Sequence, residues 1–278
     1  STGQINLDDL KTACTPDTAI VSIMWANNET GVVYPVEEAA RIAHSRGALF
    51  HTDAVQAVGK VKINLADTKI DMLSLSGHKL HAPKGIGALY VRKGIRFAPF
   101  MMGGHQEHGR RAGTENVPYI VGLGKAAELA MQNLEKENTY VKDLRDRLEA
   151  GLLKIKNTRV NGGGAERMPN TTNISFEYIE GESILLMLSE KGICGSSGSA
   201  CTSGSLEPSH VLMSMDVPQT YAHGSLRLSL SVYNTAEEVD YVIKELPPII
   251  KRLRSISPFA DGKPLFGMEA CETHGHHH

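Results

Sequence analysis

Short apolar runs and amphipathic stretches alternate along this chain. Residues 19–26, AIVSIMWA, form an apolar run of strand length closed by the polar loop NNETG, which predicts a buried strand. Pro35 then stands at a helix start, Val36, Ala39, Ala40 and Ala43 share one face, and Gly47 falls where a C-terminal cap belongs. ALFHTD follows as a strand, and DMLSLS at 71–76 and GALYVRK at 87–93 predict two more. Strands alternating with helices predict an α/β domain with a largely parallel sheet, whose ligands gather at the carboxyl ends of the strands. Asp53 and Ser76 stand at those predicted ends.

From Val117 to about Lys156 the pattern turns helical, with Val141, Leu144, Leu148 and Leu152 on one stripe, as in a connector to a second unit. Beyond it, TTNISFEYI and SLRLSLS read as strands between helices. The last helix opens at Thr235 with Glu238 three residues on, a capping box, and Pro247 and Pro248 are expected to kink or end it.

The 278 residues are 41% hydrophobic, enough for a sizeable core, while 22% charged residues and a net charge of -2 give no field for nucleic acid or an acidic membrane. No apolar run reaches membrane-span length. Cys14, Cys194, Cys201 and Cys271 form no CxxC pair, which argues against a zinc knuckle or a disulfide framework and fits a reducing cytoplasm. The chain opens on Ser1 in a turn-like STGQ and is expected to be a piece of a longer protein; residues 259–278, ending THGHHH, are expected to form a disordered tail.

Chemistry concentrates in SGHKLHAPKG, residues 76–85. Ser76 and His78 place two hydrogen-bonding side chains near Lys79, a lysine that can form a Schiff base with an aldehyde cofactor when held off bulk solvent. Lys84, following Pro83, is the rival and reads as a surface charge. In HTDAVQ, Asp53 can pair with a protonated pyridine nitrogen, and Gln56, one turn on, can donate to the ring's phenolic oxygen. Alone, Asp53 would read as an N-cap. Cys201 sits in GSSGSACTSGS, too poor in bulk to pack firmly and so suited to an accessible thiolate. Cys194, in the apolar KGIC, reads as inert; Cys14 and Cys271 have no motif around them.

WANNETG, HTDAVQAVGK, SGHKLHAPKG, GGHQEHGRRAGT and SSGSACTSG, in this order, resemble the NifS/IscS-like cysteine desulfurases, most closely their nitrogen-fixation branch, over residues 1 to about 255. The resemblance implies a fold-type I pyridoxal-phosphate-dependent transferase: a mostly parallel sheet with flanking helices and a smaller C-terminal α+β domain, divided at 1–135 and 136–258. It implies that Lys79 carries pyridoxal 5′-phosphate and that Asp53 faces the pyridine nitrogen. Gln56 and Asn28 would lie near the ring oxygen and the substrate, and Ser76 and His78 would bind the phosphate. Thr114 would reach the phosphate of a partner subunit in a homodimer, and Arg227 would clamp the substrate carboxylate. Cys201 would take sulfur from L-cysteine as a persulfide, leaving alanine, and pass it to an iron-sulfur scaffold or other acceptor protein. No resident metal is expected beyond a transient iron-sulfur cluster on Cys201.

Two departures from the family stand out. Its amino-side segment, with a phosphate-cradling glycine/threonine loop and a ring-stacking histidine, does not occur in this sequence, and His108 stands where an arginine is expected. The rival readings are a selenocysteine lyase, a related aminotransferase, which needs no thiol such as Cys201, and a catalytically impaired fragment.

Overall fold

A computed structural model describes residues 2–197 and 208–258. The chain enters through helix α1 (Leu7–Ala13), capped by the Asn6 side chain on the amides of Asp8 and Asp9, and runs into strand β1 (Ile20–Met24). Helix α2 (Val36–Ser45) begins after Pro35 and stops before Gly47, whose φ of 80° is the left-handed geometry that glycine accepts without a Cβ clash. Then come β2 (Leu49–Asp53), β3 (Met72–Ser76) and β4 (Gly87–Val91).

These strands form a four-stranded sheet in the order β1-β2-β3-β4. The first three are parallel, with Met24 opposite Asp53 and Asp53 opposite Ser74, so their carboxyl ends share one edge. β4 is antiparallel to β3, because the chain folds back directly after Ser76 and brings Gly87 opposite it. Side chains alternate between the two faces. Val21, Phe50 and Leu73 point to the face that α2 covers with Val36, Ala39, Ala40 and Ala43, all buried. On the other face Ile20, Ser22, Met24, Asp53 and Leu89 are exposed.

A short turn, α3 (Gln106–Gly109), contains Glu107 and His108 with φ of 48° and 55°, so it is not a regular helix. Helix α4 (Val117–Lys136) follows, then a π-helical turn at Glu137–Val141 that the periodicity did not reveal, then α5 (Lys142–Leu152). Val141, Leu144, Leu148 and Leu152 do form one buried stripe.

The second body consists of β5 (Thr158–Val160), β6 (Thr171–Phe176), α6 (Gly181–Ser189), α7 (His210–Ser214), α8 (Gln219–Ala222), β7 (Ser225–Ser229) and α9 (Ala236–Ile256). Its sheet is antiparallel in the order β5-β6-β7. Ile174, Phe176, Leu226 and Leu228 pack against Leu148, Ile184, Leu246 and Ile250 from α5, α6 and α9.

The capping box on α9 is formed by Thr235 and Glu238. The helix does not end at Pro247 and Pro248, however; it continues to Ile256. A proline inside a helix costs about 3 kcal/mol through the lost N–H and its ring clash. Here Leu246, Ile249, Ile250 and Leu253 are buried around the two prolines, and core burial at about 1.5–3 kcal/mol per side chain holds the helix across them.

Candidate active site at the carboxyl ends of the parallel strands

Three sequence segments meet at the carboxyl edge of the parallel strands. From β1 the chain enters the NNETG loop, which Asn27 shapes by accepting from the amides of Glu29 and Thr30, both at 2.9 Å. From β2 it reaches Asp53, whose exposed carboxylate accepts from the Val55 amide at 2.9 Å, so the N-cap-like contact coexists with its position at the edge. From β3 it reaches Ser76 and turns immediately into a 3-10 turn, Gly77–Leu80, that presents His78 and Lys79.

The turn is tight. A Cβ on Gly77 would meet Ile86 Cγ2 at 2.7 Å and one on Gly87 would meet the Leu75 carbonyl at 2.6 Å, so bulkier residues would push the turn off the strand. Ser76 Oγ and His78 Nδ1 lie 2.7 Å apart as one hydrogen-bonded pair. Lys79 is half-buried, whereas Lys84 is exposed, in keeping with its reading as a surface charge. Gln56 is half-buried one turn beyond Asp53.

The second body reaches this edge through a cross-strand pair. Asn173 on β6 lies directly opposite Arg227 on β7. Arg227 Nη1 donates to the Asn28 carbonyl at 2.7 Å, and Asn173 Nδ2 donates to the Glu29 carbonyl at 3.1 Å. Arg227 is thus tethered to the site loop and is not a free charge on a sheet edge. Its backbone also pairs with Ser196 in both directions, at 2.7 and 3.1 Å.

Three groups at this edge escaped the sequence reading. His51 sits two residues before Asp53, on the same face of β2, and bridges neighbouring strands: Nδ1 lies 2.7 Å from Ser22 Oγ and Nε2 lies 2.8 Å from Ser74 Oγ. Burial holds its pKa below the ordinary value, with Asp53 opposing. The period-two spacing of His51 and Asp53 was the available signal. Glu29, buried, accepts a short hydrogen bond from Ser209, the N-cap of α7. Burial pushes the Glu29 carboxyl upward, against Ser209, His210 and Arg227, which favour its charged form. Lys60 donates to the Lys79 carbonyl at 3.2 Å, a contact between segments nineteen residues apart that no local pattern encodes.

Of the other expected site residues, Thr114 is exposed in the loop before α4, and Cys201 lies outside the described residues, as does Cys271. Cys194 is exposed and Cys14 is buried. Among the described residues no group of three or more His, Cys, Asp or Glu could hold a metal ion, and no helix is long and apolar enough to cross a membrane.

A carboxylate, a hydroxyl–imidazole pair and a half-buried amine stand at the ends of neighbouring strands, and these are the donor types that an anionic, aldehyde-bearing heteroaromatic cofactor calls for. The aminotransferase class-V family profile matches residues 1–242, and the chain belongs to that family. The family and its cysteine desulfurase members depend on pyridoxal phosphate. The chain is 63% identical over 261 residues to a cysteine desulfurase of Gluconacetobacter diazotrophicus and 60% identical over 261 residues to the cysteine desulfurase NifS of Azotobacter vinelandii, in each case over 94% of this chain and 65% of the relative. It spans, therefore, just under two thirds of those relatives' length. A solved NifS-like protein superposes with a TM-score of 0.83 at 39% identity over 91% of this chain and 66% of that one, and a NifS-like protein from Rickettsia africae with 0.83 at 33% over 90% and 68%. The α/β fold of a fold-type I transferase expected from the sequence is the fold observed.

Proposed function

We propose that this chain is the larger part of a pyridoxal-phosphate-dependent cysteine desulfurase that converts L-cysteine to L-alanine and leaves a persulfide on Cys201. The observation that carries the reading is the convergence of Asp53, Ser76, His78 and Lys79 on one edge of the parallel sheet, with Arg227 tethered over it through Asn28.

The donor set fits pyridoxal phosphate. Lys79 would hold its aldehyde carbon, Asp53 its pyridine nitrogen, Ser76 and His78 its phosphate, and Gln56 its ring oxygen. When bound, it supplies an electron sink for charge developing on the substrate's Cα. Arg227 would orient the substrate carboxylate with its planar fork, beside Asn28. Lys79 Nζ would take the Cα proton and return a proton to the carbon skeleton. The Cys201 thiolate would attack the substrate sulfur, so that a sulfur–sulfur bond forms as the carbon–sulfur bond breaks, and the sulfur would pass to an iron-sulfur scaffold.

The enzyme would act as a cytoplasmic homodimer, with Thr114 reaching a partner's phosphate site. The support is a set of exposed apolar side chains near Thr114 in sequence, Phe100, Met101, Met102, Val117, Ile120 and Val121, which a lone subunit leaves in water. The division into residues 1–135 and 136–258 places the joint at the end of α4, beside the π-helical turn.

Borohydride reduction of the full-length protein followed by peptide mapping tests the assignment. The label is expected on Lys79. A label on Lys84 would overturn the site.

A further inference from the structure

Behind the Lys79 turn lies a cavity of about 340 Å³ whose walls come from four parts of the chain. Gly59 and Lys60 line one side, Lys79 to Pro83 another, α4 with Glu137 a third, and Val232 with Tyr233 a fourth. Lys79 itself lines it, and among the other lining residues are Lys60 and Glu137, which the proposed reaction does not use.

Lys60 is half-buried and spends one hydrogen bond on the Lys79 backbone carbonyl, at 3.2 Å. The 3-10 turn leaves that carbonyl to a side-chain donor, while the turn's own closing bonds run from His81 and Ala82 to the Gly77 carbonyl. Glu137 is 7% exposed, and its Oε2 has no hydrogen-bond partner. A buried carboxylate oxygen in that state is costly unless a cation stabilises it. Glu137 opens the π-helical turn, a local widening that recurs at functional sites, and the next residue ties the turn to Lys60: Asn138 Nδ2 donates to the Lys60 carbonyl at 2.8 Å.

We propose that Lys60 and Glu137 form a positioning pair for Lys79: Lys60 fixes the backbone of the lysine-bearing turn from behind, and Glu137 supplies the counter-charge to Lys60 in the same cavity. The inference deepens the cysteine desulfurase reading and rests on Lys79 being the cofactor lysine.

The electrostatics agree with this arrangement. Burial lowers the Lys60 pKa, Glu137 opposes that shift, and the nearby Lys79 adds to it. Burial raises the Glu137 pKa, and Lys60 followed by Lys136 opposes it. Each member of the pair thus favours the charged form of the other in a place where burial disfavours both. Lys60 also closes the motif HTDAVQAVGK, so the same short segment supplies Asp53 at the strand edge and the clamp on the turn beside it.

Full-length holoenzyme carrying Lys60→Met, Lys60→Arg or Glu137→Gln tests the pair, read by amide hydrogen exchange over residues 77–82 and by steady-state kinetics. Losing one hydrogen bond from a charged donor should speed exchange of the His81 and Ala82 amides about tenfold in Lys60→Met, and lower kcat by a similar factor with KM for L-cysteine within about twofold. Lys60→Arg keeps charge and donors and should restore both readouts to within about threefold of the parent, and Glu137→Gln should shift both in the direction of Lys60→Met by a smaller factor. If Lys60→Met does not fold, Lys60→Gln takes its place against Lys60→Arg. Parent-like exchange and kcat in the neutral variant would overturn the proposal, as would an arginine variant no better than the neutral one, which would make Lys60 a space-filler. Borohydride mapping of the parent separates the two failures: a label away from Lys79 sinks the desulfurase site, whereas a label on Lys79 with unmoved exchange sinks the positioning pair alone.

Discussion

Arg227 has two duties in the proposed site, and they can be measured apart. Its guanidinium donates to the Asn28 carbonyl at 2.7 Å, which holds the NNETG loop against the second body, and its remaining N–H groups suit a substrate carboxylate. Arg227→Lys keeps the positive charge and removes the planar fork. A hydrogen bond involving a charged group contributes about 1.5–3 kcal/mol, and 1.4 kcal/mol is tenfold in an equilibrium constant. Loss of the fork should therefore lower kcat/KM for L-cysteine about 10- to 100-fold in the full-length enzyme. The loss should fall chiefly on KM, since carboxylate binding is shared by ground state and transition state. Alanine production against L-cysteine concentration measures it. Binding of cysteamine, which has the amine and thiol but no carboxylate, is the control, read from the absorbance of the bound cofactor. Cysteamine affinity should stay within about threefold of the parent if the effect is recognition of the carboxylate. Equal losses for L-cysteine and cysteamine would show that Arg227 serves only the Asn28 tether, and an unchanged KM would refute the carboxylate role outright.

Cys201→Ala should retain the cofactor's absorbance yet release almost no alanine from L-cysteine, whereas exposed Cys194→Ala should match the parent; the opposite pattern in a product assay would transfer the acceptor role to Cys194. Glu29→Gln keeps an oxygen for Ser209 and removes a carboxylate whose pKa burial raises, so the variant should be more stable than the parent at pH 7. The sign follows from the upward shift: the folded parent holds the proton more tightly than the unfolded chain, so the parent loses stability as pH rises from the ordinary carboxylate range through the raised value. The advantage of the variant should vanish on the acid side of that window, and urea midpoints across a pH series that favour the parent at pH 7 would contradict it.

Strand and helix positions in the first body were legible because each was marked twice. The apolar runs at 19–26 and 71–76 end in polar loops, and the helix between β1 and β2 carries both its starting Pro35 and its closing Gly47. The carboxyl-edge residues followed from that, since parallel strands bring Asp53 and Ser76 to one side whatever the details. That α9 does not end at its prolines was hidden for the opposite reason: a local rule was set against burial of Leu246, Ile249, Ile250 and Leu253, which depends on where α5 and α6 pack. Glu29, Lys60 and Glu137 were silent because their partners, Ser209, the Lys79 carbonyl and a shared cavity, lie far away in sequence. A single chain read alone shows spacing, and these contacts have no characteristic spacing.

The same contrast explains how the second body can bear on the site. The loop after β1 is gripped on both sides. Arg227 and Asn173 hold the Asn28 and Glu29 carbonyls, while residues 166–168 run beside 31–33, with the Val33 amide on the Glu166 carbonyl and the Met168 amide on the Gly31 carbonyl. Arg167, in that segment, makes a two-pronged ion pair with Glu149 of α5 at 2.8 and 2.9 Å, and Thr172 of β6 adds a hydrogen bond to the same carboxylate. Burial raises the Glu149 pKa, yet the Arg167 and Thr172 bonds outweigh it and hold the carboxyl below its ordinary value. Charge-assisted and backbone hydrogen bonds therefore cross the joint between the two bodies, and these are directional, whereas the apolar contacts that make up each core are not. Directional contacts fix orientation, and orientation is what Arg227 needs if it is to meet a substrate carboxylate beside Lys79.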